Sequence, residues 1–205
     1  MSDDEPTQVD SRSRPSLTTE MRTSEDWWAI WCGAILLASS FAAVWFTAPT
    51  DLAQSIENGD AVKISSPLKP WIAKPGSWTE SPIDAFYKAA DGDTPASNTY
   101  LGVIGVFVVI AILFSIANAI RGQSAAGFLK AFPVVFVLAT LAYALAGQSV
   151  VKAYNLEYAL WALLVGLIIS NTVGTPSFLK SAALTEFYIK TGLVLLGAEV
   201  LMSRL

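Results

Sequence analysis

The run from Tyr100 to Ile120 contains no charged residue and is long enough, at 1.5 Å per residue, to cover the ~30 Å of hydrocarbon in a bilayer. A soluble helix of that length interrupts its apolar surface with charge on at least one face. The rest of the chain points the same way. Of its 205 residues 53% are hydrophobic and only 15% charged, more apolar surface than one soluble core of this size needs. An all-α, polytopic membrane protein is therefore expected, with the lipid bilayer as its first partner.

The pattern of apolar runs predicts about five spans, at residues 27–47, 100–120, 131–149, 156–171 and 185–203. Residues 1–26 are rich in Ser, Thr, Asp, Glu and Arg and are expected to be a disordered tail. Their length before the first apolar run argues against a cleaved signal peptide. Ser24 is placed to cap the first span, Glu25 and Asp26 suit its positive end, and Trp27, Trp28 and Trp31 form an interfacial belt opposite Trp45. Residues 48–99 hold Pro67, Pro70, Pro75, Pro82 and Pro95 and are expected to lie outside the membrane. Trp71 and Trp78 would touch the lipid surface there, and residues 83–90 would form an interfacial helix. Pro133 is expected in the first turn of the third span, where a missing N–H is harmless. The short linker 121–130 carries Arg121 and Lys130 and no acid, which predicts a cytoplasmic linker and hence a cytoplasmic N-terminus.

Several chemistries have no foothold. Histidine is absent and Cys32 is the single thiol, expected to serve packing. No nucleophile–base set, phosphate-binding glycine loop or Cys-rich metal spacing occurs, so neither an enzyme nor a cofactor nor a metal site is expected. The net charge of −4 and the missing basic stripe speak against nucleic acid.

Polar groups inside the last two apolar runs are the exception. Asn171, Thr172, Gly174, Thr175 and Pro176 either unwind a helix at membrane depth, exposing amides to an anion, or simply end it before a loop. Lys190 follows Glu186 by four residues and either pairs with it at an interface or faces a polar path. Glu199 lies farther along the same run. Burying such a charge unpaired costs at least ~2.5 kcal/mol, which makes these residues candidates for function. Asn118 and Arg121 fit an interface better than a ligand site, and Gly102, Gly105, Gly192 and Gly197 offer small faces for close helix packing.

The blocks Glu25-Asp26-Trp27-Trp28-Ala29, Ser170-Asn171-Thr172-Val173-Gly174-Thr175-Pro176 and Lys190-Thr191-Gly192-Leu193-Val194-Leu195-Leu196-Gly197-Ala198-Glu199 resemble the sulfate exporter family of bacterial inner-membrane transporters. That resemblance implies one half of an inverted-repeat transporter fold with sites where two repeats meet, in proteins roughly twice this length. The chain would then be the N-terminal half, a truncated product or fragment, acting as a homo-oligomer or with a C-terminal half. Transport of a small inorganic anion such as sulfate is implied, with Asn171, Thr172, Thr175 and Lys190 as candidate ligands and Glu199 as a proton or coupling-ion group. The alternative is a non-transporting helical remnant or structural subunit.

Overall fold

The computed structural model describes residues 17–47, 66–90 and 96–202, and expectations for residues 1–16, 48–65, 91–95 and 203–205 lie outside it. Seven α-helices dominate the described residues: α1 Leu17–Thr23, α2 Glu25–Thr47, α3 Tyr100–Ile120, α4 Ala125–Ala146, α5 Ser149–Ala153, α6 Tyr158–Thr172 and α7 Thr185–Met202. The only sheet among them is a two-residue ribbon, β1 Tyr87–Lys88 antiparallel to β2 Ser97–Asn98.

Helices α2, α3 and α4 are each long and apolar enough to cross a membrane. Helix α6 is apolar but has 15 residues, and α7 has 18 with Glu186, Lys190 and Glu199 among them. The protein is thus an all-α membrane protein with three full-length apolar helices and two shorter or charge-bearing ones, among the described residues.

Contacts at the helix ends show that successive long helices alternate in direction. At one end, here the first, Glu25 of α2 meets Arg121 just after α3, and Ser181 donates to the Gly127 carbonyl of α4 (2.9 Å) ahead of α7. At the second end, Trp78 is locked onto the close of α4. Its Nε1 donates to the Ala144 carbonyl at 2.6 Å, its backbone N–H to the Gly147 carbonyl at 3.0 Å, and its carbonyl accepts from Ser149 N at 2.8 Å. Tyr143 and Tyr158 stack there at 4.6 Å, joining α4 to α6.

The core is an aromatic stack between α3, α4 and α7. Phe114 meets Phe187 at 4.6 Å and Tyr188 at 5.3 Å, while Phe128, Phe132 and Phe107 continue the stack at 5.1 and 5.4 Å. Cys32 is fully buried beside this core, as its packing role predicts. Outside it, large aliphatic side chains along α2, α3, α6 and α7 are exposed, as lipid-facing or partner-facing helices require.

Several sequence expectations are revised. Leu17–Thr23 is helical within the expected disordered tail, and Trp28 Nε1 donates back to the Arg22 carbonyl at 2.8 Å. Helix α4 starts at Ala125 rather than near residue 131, because Ser124 accepts from Gly127 N and Phe128 is drawn wholly into the core; Pro133 therefore lies in the helix interior. The helix expected over residues 83–90 is a single 3-10 turn, Pro82–Ala85, followed at once by β1. Trp78 is tethered to α4 instead of meeting lipid, whereas Trp71 is exposed. The connection before α3 does not stay beyond the helix ends: the Trp71 carbonyl presses on Gly105 and Ala73 on Gly102, so Gly102 and Gly105 receive a loop, not a helix. Gly192 and Gly197 face open space. The close helix contact falls at Gly33, where a Cβ would meet Val194 Cγ1 at 2.7 Å and bring α2 against α7.

Replacing Gly33 by Leu should force α2 and α7 apart and lower stability by ~1–3 kcal/mol, while Gly192→Ala and Gly197→Ala, which meet open space inside α7, should raise it by up to ~1 kcal/mol. Unfolding of the purified variants in mixed micelles checks this, and equal losses at all three positions would remove the α2–α7 contact from the fold.

Candidate functional site

The first end of the bundle gathers most of the charge that the apolar helices carry. Arg121 closes α3 and donates from Nη2 to Glu25 Oε2 at 2.9 Å, with only 9% of its side chain exposed. Its guanidinium also stands 5.3 Å from the centre of the Phe187 ring, a cation–π contact that fixes the plane of the fork against α7. Asp26, one residue along α2, reaches Lys190 of α7 at 2.6 Å, and Lys190 also meets Glu186 at 3.1 Å. Acidic residues suited to the N-terminus of α2 thus double as partners for two cations from other helices.

Behind this seam lies a set of buried polar atoms without partners among the described residues. They are Arg121 Nε and Nη1, Asn118 Nδ2, Thr191 Oγ1 and Ser115 Oγ. Asn118 is one turn from Arg121 on α3, and Thr191 one turn from Phe187 on α7; both are at most 4% exposed. Because α3 and α7 run in opposite directions, the two residues step inward from the seam together. Every member of this set is a donor or can act as one, and a buried donor without an acceptor costs ~1–3 kcal/mol. Such a set suits an acceptor-rich guest: water or an oxyanion. Among the described residues no group of Asp, Glu and Cys is arranged to hold a metal ion.

The sequence-derived candidates occupy three places. Lys190 belongs to the seam and is shared by Asp26 and Glu186, so its i, i+4 partner is as the spacing suggests and Asp26 is an addition. Asn171 and Thr172 sit in the last turn of α6, where Asn171 Nδ2 donates to the Leu167 carbonyl at 2.8 Å and Thr172 Oγ1 to the Ile168 carbonyl at 2.7 Å. Gly174, at φ +74°, then closes the helix with its N–H on the Ile169 carbonyl, and Thr175 follows on the exposed turn. The geometry there is that of a glycine-closed helix end. Glu199 is exposed on α7, one turn beyond Leu195. The seam and the α6 turn are not joined by any packing of α6 on α7 among the principal helix contacts, which pair α2 with α7 and α4 with α6. Sequence reasoning read Glu25 and Asp26 only as helix-end acids, and their pairing across helices left no local signal.

No protein-family model and no solved structure matches the chain. Curated relatives do. A UPF0324 membrane protein of Rhodopirellula baltica is 51% identical over 94% of this chain and 43% of its own length. UPF0324 membrane proteins of Nitratidesulfovibrio vulgaris and Nitrosomonas europaea are 24% and 25% identical, over 93% and 88% of this chain and 50% and 37% of theirs. The homologues of this chain are therefore UPF0324 membrane proteins, and the chain spans about half of their length or less. The alignment to the Rhodopirellula protein runs over 242 positions, more than the 205 residues here, so that relative carries inserted residues between matched blocks.

Glu25→Gln leaves the Arg121 guanidinium buried without its counter-charge and should cost ~3 kcal/mol. Swapping the pair as Glu25→Arg with Arg121→Glu should restore part of that loss. Micellar unfolding of the three proteins decides it, and a Glu25→Gln protein as stable as the parent would remove the pair from the structural account.

Proposed function

We propose that this multi-pass membrane protein is the N-terminal part of a transporter that exports a small inorganic anion, with sulfate the first substrate to test. The observation that carries the proposal is the set of buried donors behind the Arg121 seam: Nε and Nη1 of the guanidinium, the Asn118 amide and the Ser115 and Thr191 hydroxyls have no acceptor among the described residues. A tetrahedral oxyanion supplies acceptors in several directions at once, and a guanidinium binds it through paired N–H groups. Lys190 contributes only if the anion displaces Asp26 or Glu186 from it, a partner exchange of the kind that couples binding to movement between two states.

The resemblance to sulfate exporters supports the same reading, and the homologous UPF0324 membrane proteins of greater length support an integral membrane protein. In the proposed protein the N-terminus and the 121–130 linker face the cytoplasm across an inner membrane, and the site is completed where a second repeat packs. Helix α6 buries none of its side chains, and Asn171, Thr172 and, on the turn after it, Thr175 are exposed, which supports a role for them where a second repeat would pack. Glu199 is the proposed proton or coupling-ion group.

A second reading, a structural subunit or remnant that needs a partner half, is favoured by the share of its relatives that the chain spans. Sulfate efflux from proteoliposomes separates the two. The transport proposal expects flux when a C-terminal half from the family is supplied, and its loss, with insertion intact, in Lys190→Ala, Glu199→Gln and Arg121→Lys. Flux that survives all three changes would take these residues out of the site. Absence of flux under every condition would favour the structural subunit.

A further inference from the structure

Residues 66–73 pass along α3 rather than above it. The Trp71 carbonyl and Ala73 rest on Gly105 and Gly102, the positions of α3 where a Cβ would collide with them. Farther down, Lys69, Leu68 and Ile72 share a cavity with Val109 and Ile110. Those two residues stand at the middle of the Tyr100–Ile120 helix, ~14 Å from either end. Leu36 and Ser40 of α2, also near mid-helix, and Leu195 of α7 complete the wall. The depth is thus fixed by three helices independently.

Irregular backbone survives at such depth only if its polar groups are satisfied without bulk water. This segment meets the N–H part of that condition from residue 67 to 72 by local turn bonds. Pro67 and Pro70 have none to satisfy. Leu68 N donates to Ser66 Oγ, Lys69 N to the Ser66 carbonyl, and both Trp71 N and Ile72 N to the Leu68 carbonyl, at 2.8–3.3 Å.

We propose that residues 66–73 form a re-entrant segment that carries Lys69 to the mid-depth of the bundle, where Lys69, Ser66, Ser39 and Ser40 line a binding cavity for a small oxyanion. The cavity is an open groove of about 720 Å³ with otherwise aliphatic walls, and Lys69, Ser39 and Ser40 are exposed along it. Lys69 has no carboxylate partner among the described residues. Ser39 donates to the Leu36 carbonyl at 2.9 Å and turns toward a guest only by releasing it, whereas Ser40 is free of such a bond among the described residues. Glu199, one turn beyond Leu195, is the acid nearest to this wall along α7. This site rests on the anion reading above but is separate from the Arg121 seam, and its segment is one that composition alone assigns to the extramembranous connection.

The test uses Leu68→Cys in the full chain in liposomes, with Cys32, which is wholly buried, as internal background and Cys32→Ser as control. A nitroxide at position 68 should report the same depth as one at Val109→Cys, from collision with lipid-soluble oxygen against a water-soluble nickel chelate, and Ser77→Cys should report the interface. Sulfate should slow alkylation of Cys at position 68 by at least threefold, and adding Lys69→Gln should abolish that protection. A depth equal to that of position 77 overturns the re-entrant segment. Mid-depth without sulfate protection, or protection that survives Lys69→Gln, overturns the oxyanion site. Protection absent until Glu199→Gln is introduced overturns it too, by showing that Lys69 is held as an ion pair. None of these readouts needs flux, so protection with no flux even when a C-terminal half is supplied would sink the transporter proposal and leave this site standing.

Discussion

The contact between Glu25 and Arg121 is the constraint on which the arrangement of the helices turns. A guanidinium at the end of an uncharged helix cannot be left in an apolar interior, and here it is answered by a carboxylate from α2 and an aromatic face from α7. Those two partners bring three helix ends to one place. Asp26 and Lys190 add a second tie between α2 and α7, and Gly33 allows the backbones to close behind it. Charge fixes which helix ends meet, and the missing side chain sets how near they come.

At the opposite end neutral hydrogen bonds do the equivalent work. Trp78 spends its indole N–H, backbone N–H and carbonyl on the end of α4, which pins the long connection to the bundle. With that anchor in place, the residues before it descend along α3 into the groove left by Gly102 and Gly105. The two ends therefore differ in kind: one is an ion-pair seam with surplus buried donors, the other a clamp that positions an inserted loop. The aromatic core around Phe114 is set between these ends, among α3, α4 and α7.

Much of the helical frame was legible beforehand. The α3 limits coincide with the uncharged run from Tyr100 to Ile120, and α2 ends at Thr47 as its apolar pattern indicates. Ser24 accepts from Asp26 N at 3.2 Å, as its position before the acids suggests. Helix α4 was harder, because residues 125–130 read as a basic linker until Phe128 is seen to be buried, and a serine cap is a weak signal beside a lysine and a proline. Of the site, Lys190 with Glu186 was readable from spacing alone. Asp26, Glu25 and Lys69 were not, since each acts on a residue far away in sequence.

Length and hydropathy by themselves determined that this chain is helical and belongs in a bilayer, because a backbone in hydrocarbon must satisfy its own hydrogen bonds and a helix does so within one segment. They also determined where most spans begin and end. Only the tertiary structure decided which charges neutralise one another, which glycines are contact points, and that a proline-rich connection folds back along α3. Those outcomes depend on the meeting of groups far apart in the chain, from Glu25 with Arg121 to Ala73 with Gly102, and no local period or composition encodes such a meeting.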